Sequence, residues 1–396
     1  MKLFLFFFKI LKLIYKIYLY FLNYFVVIIY HSQETENKIL IIRLDAIGDF
    51  ILWLDSAQHF RKIYSGKTIV LLGNQTWTDI AKKFSYWDEV WELNRHKFHR
   101  SFLYRFHLLK KIRKAGFDIV IQPTYSREFL YGDAIVHISG AREKIGSVGD
   151  CSNIWPIEKE ISDRFYTQLV PANPKPLMEL RRNAEFVRGL GYEFQSALPD
   201  MMLVVQGIAN PVAKNSPYFV LFPGASWTGR QWPIEKFSEF ASLVFRETGM
   251  SAVICGGATQ KQLSEALIAI MNIPVLNMVG KTSLAELVAI IKDAQFLLGN
   301  ETSAVHIASA VATPAFCLLG GGHYGRFMPY DIESKTKKTL PVVISHQMDC
   351  FNCNWCCKYF VEDGKPVPCI EKISVKEVFA ALQPLIKKWQ QLGFIQ

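Results

Sequence analysis

Hydrophobic and polar positions along this chain fall into three patterns. The first thirty residues, MKLFLFFFKILKLIYKIYLYFLNYFVVIIY, are apolar apart from lysines and one asparagine. On a helix turning about 100° per residue, Lys2, Lys9, Lys12, Lys16 and Asn23 fall within an arc of roughly 80°, with Phe, Leu, Ile and Tyr over the rest. The spacing predicts a membrane-associating amphipathic helix over 1–33, lying in the interface with its lysines toward anionic headgroups. A single span is the alternative, although a spanning helix needs about 20 uninterrupted apolar residues and only Ile17–Tyr30 approaches this, with Asn23 inside it. A cleaved or mis-started segment is the third reading, and no small-residue cleavage site follows.

From Lys38 the pattern changes to short β-branched runs alternating with amphipathic stretches, the form taken by a parallel sheet covered with helices. KILIIRL, KTIVLLG, DEVWEL, FDIVIQP and DAIVHIS are predicted as strands, with helices at Ile51–Tyr64 and Phe102–Ala115 between them. VPANPKP, Val170–Pro176, is a linker signal, and a helix from Leu177 to Leu190 is expected to stop at Gly191. The third pattern repeats the second: YFVLFPG, SAVICGG, QFLLGN, PAFCLLG and PVVIS are predicted strands. Pro233 is expected at a first helical position, with Gly249 closing that helix, and Ser283 with Glu286 and Ser374 with Glu377 form capping boxes. The fold class is therefore α/β, with two doubly wound domains, 38–205 and 215–396, facing a central crevice, and a closing helix at 375–391. Ligands of such sheets bind at the carboxyl ends of the strands.

Composition narrows the function. Half of the 396 residues are hydrophobic and 20% are charged, which excludes a disordered chain. The net charge of +10 is spread thinly rather than gathered into a stripe, so phosphorylated small molecules or anionic lipids fit better as partners than nucleic acid. Five of the eight cysteines crowd into 350–369 and the others are scattered, unlike a secreted disulfide framework, so a reducing, cytoplasmic setting is expected.

Three motifs sit where strands run into helices. In Arg43-Leu44-Asp45-Ala46-Ile47-Gly48-Asp49, Asp49 is placed either to cap a helix or to act as a general base toward a substrate hydroxyl. Asp45, four positions earlier, reads as a solvated loop residue or as a carboxylate sharing that work. In FPGASWTGRQWP, residues 222–233, backbone amides, the Ser226 hydroxyl and the Arg230 guanidinium suit a phosphate. In Gly299-Asn300-Glu301-Thr302-Ser303-Ala304-Val305-His306, a helix start favours an anion, while a plain cap by Thr302 and a structural role for His306 explain the same letters. Gly320–Gly325, GGGHYG, matches a dinucleotide fingerprint formally, but no helix follows it; an NAD-dependent oxidoreductase would have to bind its nicotinamide cofactor there.

Together these segments resemble glycosyltransferase family 9, the bacterial heptosyltransferases of lipopolysaccharide core synthesis, over roughly Lys38 to Leu382. The carrying pieces are ILIIRLDAIGDFIL, IVIQPTYSREF, GAREKIG, FPGASWTGRQWPIEKF, NMVGKTSLAELVAIIKDAQFLLGNETSAVHIASAVATP and GGGHYGRFMPY, in that order. The resemblance implies the GT-B arrangement of two Rossmann-like domains, acceptor side first and donor side second. It implies an inverting transferase that moves a sugar, heptose in the family, from a nucleotide-diphosphate donor such as ADP-heptose to a lipopolysaccharide core or other lipid-linked acceptor. No cofactor or divalent metal is required.

By the same resemblance Asp49 is the general base, and Ser226, Arg230, Glu301, Thr302, Ser303 and His306 are donor-binding. Arg43 and Arg127 are acceptor-binding. The expected location is the cytoplasmic face of the bacterial inner membrane. The chain departs from the family in carrying Glu301 for Asp, Ser303 for Gly and Arg230 for Lys. It also lacks an acidic residue after SAVIC, which leaves the donor's base and sugar open. A non-catalytic nucleotide-sugar or glycolipid binding protein of the same fold is the alternative. Cys350, Cys353, Cys357 and Cys369 are candidates for a structural zinc, with reduced free thiols and a redox role as the other readings.

Overall fold

The computed structural model describes residues 2–32, 37–212, 217–334 and 340–394, with the side chains of 2–13 left aside. The chain divides into two compact units. The first comprises Met1–Phe50, Ser56–Pro174 and Arg182–Phe194; the second comprises Ile51–Asp55, Lys175–Arg181 and Gln195–Gln396.

The first unit is built on a parallel sheet of β1 (Lys38–Arg43), β2 (Thr68–Asn74), β3 (Glu89–Leu93), β4 (Ile119–Gln122), β5 (Glu143–Ser147) and β6 (Gln168–Val170), ordered β3-β2-β1-β4-β5-β6. Strands β1, β2 and β4 are buried almost throughout, as strands covered on both faces must be. Leu40, Ile42, Val70, Leu72 and Val120 join Leu109 and Ile112 of the helix Phe102–Ala115 in one core. That helix has the predicted bounds, with the Ser101 side chain capping it and left-handed Gly116 ending it.

DAIVHIS is not a strand. Residues Ala134–Ile138 form a helix, and the strand position is taken by EKIGS, which is β5. A short apolar run reads the same in either state when every side is buried, as Ala134, Ile135, Val136 and Ile138 are here.

The N-terminal segment is a helix, Lys2–Ile29, docked on the first unit. Leu19, Leu22 and Val26 are buried, and Asn23 Oδ1 accepts from Arg105 Nε at 3.0 Å, both groups out of solvent. Lys16 also turns inward, 2.6 Å from Glu158 and over the Trp155 ring. The outward face instead carries Ile14, Ile17, Phe21, Phe25 and Ile28. This reverses the expected orientation for Lys16 and Asn23, which meet protein at Glu158 and at the buried Arg105; the side chains of Lys2, Lys9 and Lys12 lie outside the described residues. Among the described residues no helix is long and apolar enough to cross a membrane.

The second unit repeats the architecture with β7 (Tyr218–Phe222), β8 (Ser251–Ile254), β9 (Val275–Asn277), β10 (Leu297–Asn300), β11 (Ala315–Leu318) and β12 (Val342–Ile344), all parallel and ordered β12-β11-β10-β7-β8-β9. Counted from its own first strand, this is the order of the first sheet. Only β9, three residues and half-exposed, has no counterpart among the predicted strands. Both capping boxes form, and the helix Val375–Gln391 has the predicted bounds. Gly249 closes the helix Ile234–Thr248 in the left-handed conformation, while Pro233 stands one residue earlier than expected, at the cap itself. Trp232, Phe237, Phe240, Phe296 and Trp389 fill the core between sheet and helices.

Candidate active site

In each sheet the strand order reverses direction once, between β1 and β4 in the first and between β7 and β10 in the second. At such a switch point the connections leave on opposite faces and open a crevice at the strand ends, where ligands bind in open α/β sheets. The predicted residues follow these four strands: Asp45 and Asp49 after β1, Arg127 after β4, Ser226 and Arg230 after β7, and Glu301, Thr302, Ser303 and His306 after β10.

In the second unit the loop after β7 is held to β10 by Asn300. Its side-chain amide donates to the Pro223 carbonyl at 2.7 Å and its Oδ1 accepts from the Trp232 backbone N–H at 3.0 Å, all buried. Asn300 has no place among the predicted site residues, because nothing in the motif shows that its side chain reaches back across 77 positions. With the loop anchored, Arg230 Nη2 donates to the Glu301 carbonyl at 2.9 Å and to its Oε2 at 3.0 Å, and Nη1 donates to Ser226 Oγ at 3.3 Å. The Trp355 ring lies beneath the guanidinium, 4.8 Å from it. Burial pushes the Glu301 carboxyl up to about 7 even with Arg230 pulling the other way.

The helix Ser303–Ala310 starts beside this pair with Thr302 as its cap residue. The Thr302 hydroxyl makes no capping bond, and its oxygen is buried without a hydrogen-bond partner among the described residues. The Arg230 guanidinium, bonded to Glu301, thus stands next to Thr302 and the first-turn amides of this helix, groups of the kind that accept an anion. His306 is elsewhere engaged: its Nδ1 lies 2.8 Å from the Tyr330 hydroxyl, the rings are stacked, and burial drives its pKa down to about 3. It is a neutral histidine that braces the helix.

In the first unit Arg43 is wholly buried at the end of β1, with Nη2 2.9 Å from Asp45 Oδ2 and Nη1 donating to Asn183 Oδ1 at 3.2 Å. Asp45 is further fixed through its carbonyl, which accepts from Asn74 and Trp77, so it is not a solvated loop residue. A small cavity of about 10 Å³ is lined by Asp45, Gln122, Thr124, Glu128 and Gly132. Arg95, absent from the predicted set, grips Glu128 with two bonds of 2.8 Å at its rim.

Asp49 is the third residue of the helix Ile47–Ile63, whose cap position is Ala46. Arg127 is 1% exposed and committed to an internal network, 3.5 Å from Asp133, bonded to Asp163 and over the Tyr166 ring. Neither Arg43 nor Arg127 presents a free guanidinium to a ligand.

The glycine run Gly320–Gly322 serves packing. A Cβ on Gly321 would fall 2.1 Å from the Phe351 ring, and one on Gly322 2.3 Å from Trp355, so these rings lie directly on bare backbone. Cys350, Cys353, Cys357 and Cys369 line one small pocket nearby, and all eight cysteines are unpaired. Among the described residues no three metal-ligating side chains already stand grouped as a metal site.

Two Rossmann-type sheets, each with its polar loops at the switch point, define the GT-B class of fold. The solved structure of Escherichia coli ADP-heptose LPS heptosyltransferase II overlays with a TM-score of 0.65 at 16% identity, covering 89% of this chain and 99% of that one. E. coli heptosyltransferase WaaC with ADP-2-deoxy-2-fluoro heptose overlays at 0.62 and 15% identity, covering 88% and 99%. Glycosyltransferase family 9 (heptosyltransferase) matches residues 105–351, and the chain belongs to that family. Among curated relatives, lipopolysaccharide core heptosyltransferase OpsX of Haemophilus influenzae is 24% identical over 44% of this chain and 48% of its own length. Lipopolysaccharide heptosyltransferase 3 of E. coli is 24% identical over 57% and 66%. The chain thus spans about half to two thirds of the curated relatives it matches.

Proposed function

We propose that this protein is an inverting glycosyltransferase that moves a heptose from ADP-heptose to a lipopolysaccharide core or other lipid-linked acceptor. The carrying observation is the corner after β7 and β10, where Arg230 is bonded to Glu301 beside the helix start at Thr302 and Ser303. The donor's diphosphate binds there, with Ser226 and Arg230 on its oxygens. Asp49 takes the proton of the acceptor hydroxyl as that oxygen forms a bond to the anomeric carbon. The bond from that carbon to the diphosphate oxygen breaks, and the charge leaves on ADP, stabilised by Arg230 and the helix dipole. Arg43 and Arg127 are positioning residues on the acceptor side: Arg43 holds Asp45, and Arg127 ties the loop after β4 to Asp133 and Asp163.

The protein works on the cytoplasmic face of the bacterial inner membrane. Its docked N-terminal helix lays Ile17, Phe21, Phe25 and Ile28 among the acyl chains, and the net charge of +10 favours anionic headgroups. The test is calorimetric titration of ADP-, GDP- and UDP-sugars into the full chain in detergent, repeated with Arg230→Ala, followed by transfer assays on Asp49→Ala. Binding of ADP-heptose that weakens with Arg230→Ala, and turnover that disappears with Asp49→Ala, support the reading. Unaltered binding with no turnover in the wild type would favour a non-catalytic binding protein.

A further inference from the structure

The segment from Ser345 to Val367 is the longest stretch of the second unit without helix or strand among the described residues. Loops of this length are rarely held in one shape by turns alone. Three of its residues, Asn352, Asn354 and Trp355, sit in the left-handed backbone region at φ 66, 50 and 61°. A bulky residue such as Trp355 stays there only when its surroundings over-determine it. The segment is nonetheless fitted closely to the protein: Asn352 and Asn354 donate backbone N–H bonds to the Gly321 and Gly322 carbonyls, and the Trp355 indole donates to His323 Nδ1 at 3.2 Å.

Four cysteines gather in and beside it. Cys350, Cys353 and Cys357 come from the irregular turns, and Cys369 comes from the short helix Pro368–Glu371. All four line a single pocket of about 10 Å³, enough for one small sphere, while Cys356, adjacent to Cys357 in sequence, is exposed and lies outside it. Cys369 is buried and its sulfur already accepts the Gly321 backbone N–H at 3.4 Å, the kind of outer contact that orients a ligating sulfur. Met348 and Tyr359 also line the pocket, the Tyr359 hydroxyl being taken up by Asp349 at 2.8 Å; four thiols without a carboxylate or imidazole are the donor set of a thiophilic ion with tetrahedral preference.

We propose that Cys350, Cys353, Cys357 and Cys369 form a structural site for one divalent thiophilic metal ion, zinc or ferrous iron, which fastens the Trp355 segment against the glycine run. Binding turns the sulfurs inward, a movement that side-chain rotation in turns free of regular structure allows. The ion takes no part in sugar transfer. The pocket is lined by Gly321 and by Trp355, whose ring lies under Arg230.

The test is elemental analysis of the full chain, purified under reducing conditions without chelator, together with Cys353→Ser, Cys357→Ser and Cys356→Ser. About one zinc or iron per chain is expected in the wild type and in Cys356→Ser, and less than about a tenth in the other two. The element found tells zinc from iron. Cobalt exchange into the wild-type chain should give the intense visible bands of tetrahedral thiolate coordination, a readout that needs no variant to fold. A folded wild-type chain that carries no metal and takes up neither zinc nor cobalt would overturn the proposal. Loss of metal in Cys356→Ser equal to that in Cys353→Ser would overturn the assignment of the four ligands.

Discussion

Glu301 makes the stability of this protein depend on pH in a way its replacement by glutamine should abolish. The carboxyl is buried and its pKa stands at about 7, against 4.5 for an ordinary glutamate; burial is the larger cause, partly offset by Arg230. Below pH 4.5 the proton is bound in both folded and unfolded chains, and the group costs nothing. Between 4.5 and 7 the unfolded chain releases it while the folded chain keeps it, so stability falls as pH rises. Above 7 both states are ionised and the whole penalty is present. At 1.36 kcal/mol per pKa unit, the difference amounts to about 3 kcal/mol.

In Glu301→Gln the amide oxygen still accepts from Arg230 Nη2, so the contact is kept while the titration is removed. Urea unfolding between pH 5 and 8, followed by tryptophan fluorescence, should show the wild type losing stability relative to Glu301→Gln by an amount of this order. The affinity for ADP should follow the same course, because an ionised Glu301 competes with a diphosphate for Arg230. Parallel stability curves for the two proteins across this range would refute the reasoning. Arg230→Ala offers a cross-check. Glu301 then takes up a proton at neutral pH instead of remaining a stranded charge, so the stability loss should stay below the roughly 3–5 kcal/mol typical of breaking a buried ion pair.

Asp49→Asn should lower kcat for sugar transfer by a factor of about 10² to 10⁴ while leaving the Kd for ADP unchanged, since it removes a proton acceptor and no donor contact. A kcat within a factor of about three of the wild type would exclude Asp49 as the base. Asn300→Ala leaves the buried Trp232 N–H and Pro223 carbonyl without their partner, at a cost of about 2–4 kcal/mol in urea denaturation. Unchanged stability would show that the loop after β7 is held by something else. Phe21→Ser with Phe25→Ser alters residues 64% and 52% exposed, so the fold should keep its melting temperature while co-sedimentation with anionic liposomes falls severalfold. Undiminished sedimentation would rule out this face as the membrane contact.

What could be read from the chain alone was local. The capping boxes at Ser283 and Ser374, the Gly249 helix stop and the bounds of Phe102–Ala115 and Val375–Gln391 depend on residues within one or two turns of each other, so their signals lie side by side in the sequence. The alternation of apolar runs and amphipathic stretches announced two parallel sheets for the same reason. The three-residue strands β6 and β9 carry one buried position and none, too few to declare themselves, and DAIVHIS, almost wholly buried, has no periodicity that separates helix from strand and so took the place of β5.

Tertiary structure decided what each charged or polar side chain became. Arg43 and Arg127 are acceptor-binding candidates by the family resemblance alone; in the fold both are buried and paired with Asp45, Asp133 and Asp163. Lys16 and Asn23 face protein because Glu158 and Arg105, 142 and 82 positions away, need partners there. The pairing of Arg230 with Glu301 spans 71 positions and follows from β7 and β10 being neighbours in the sheet. Burial and pairing depend on which strands lie side by side, and that order is a property of the whole packed sheet.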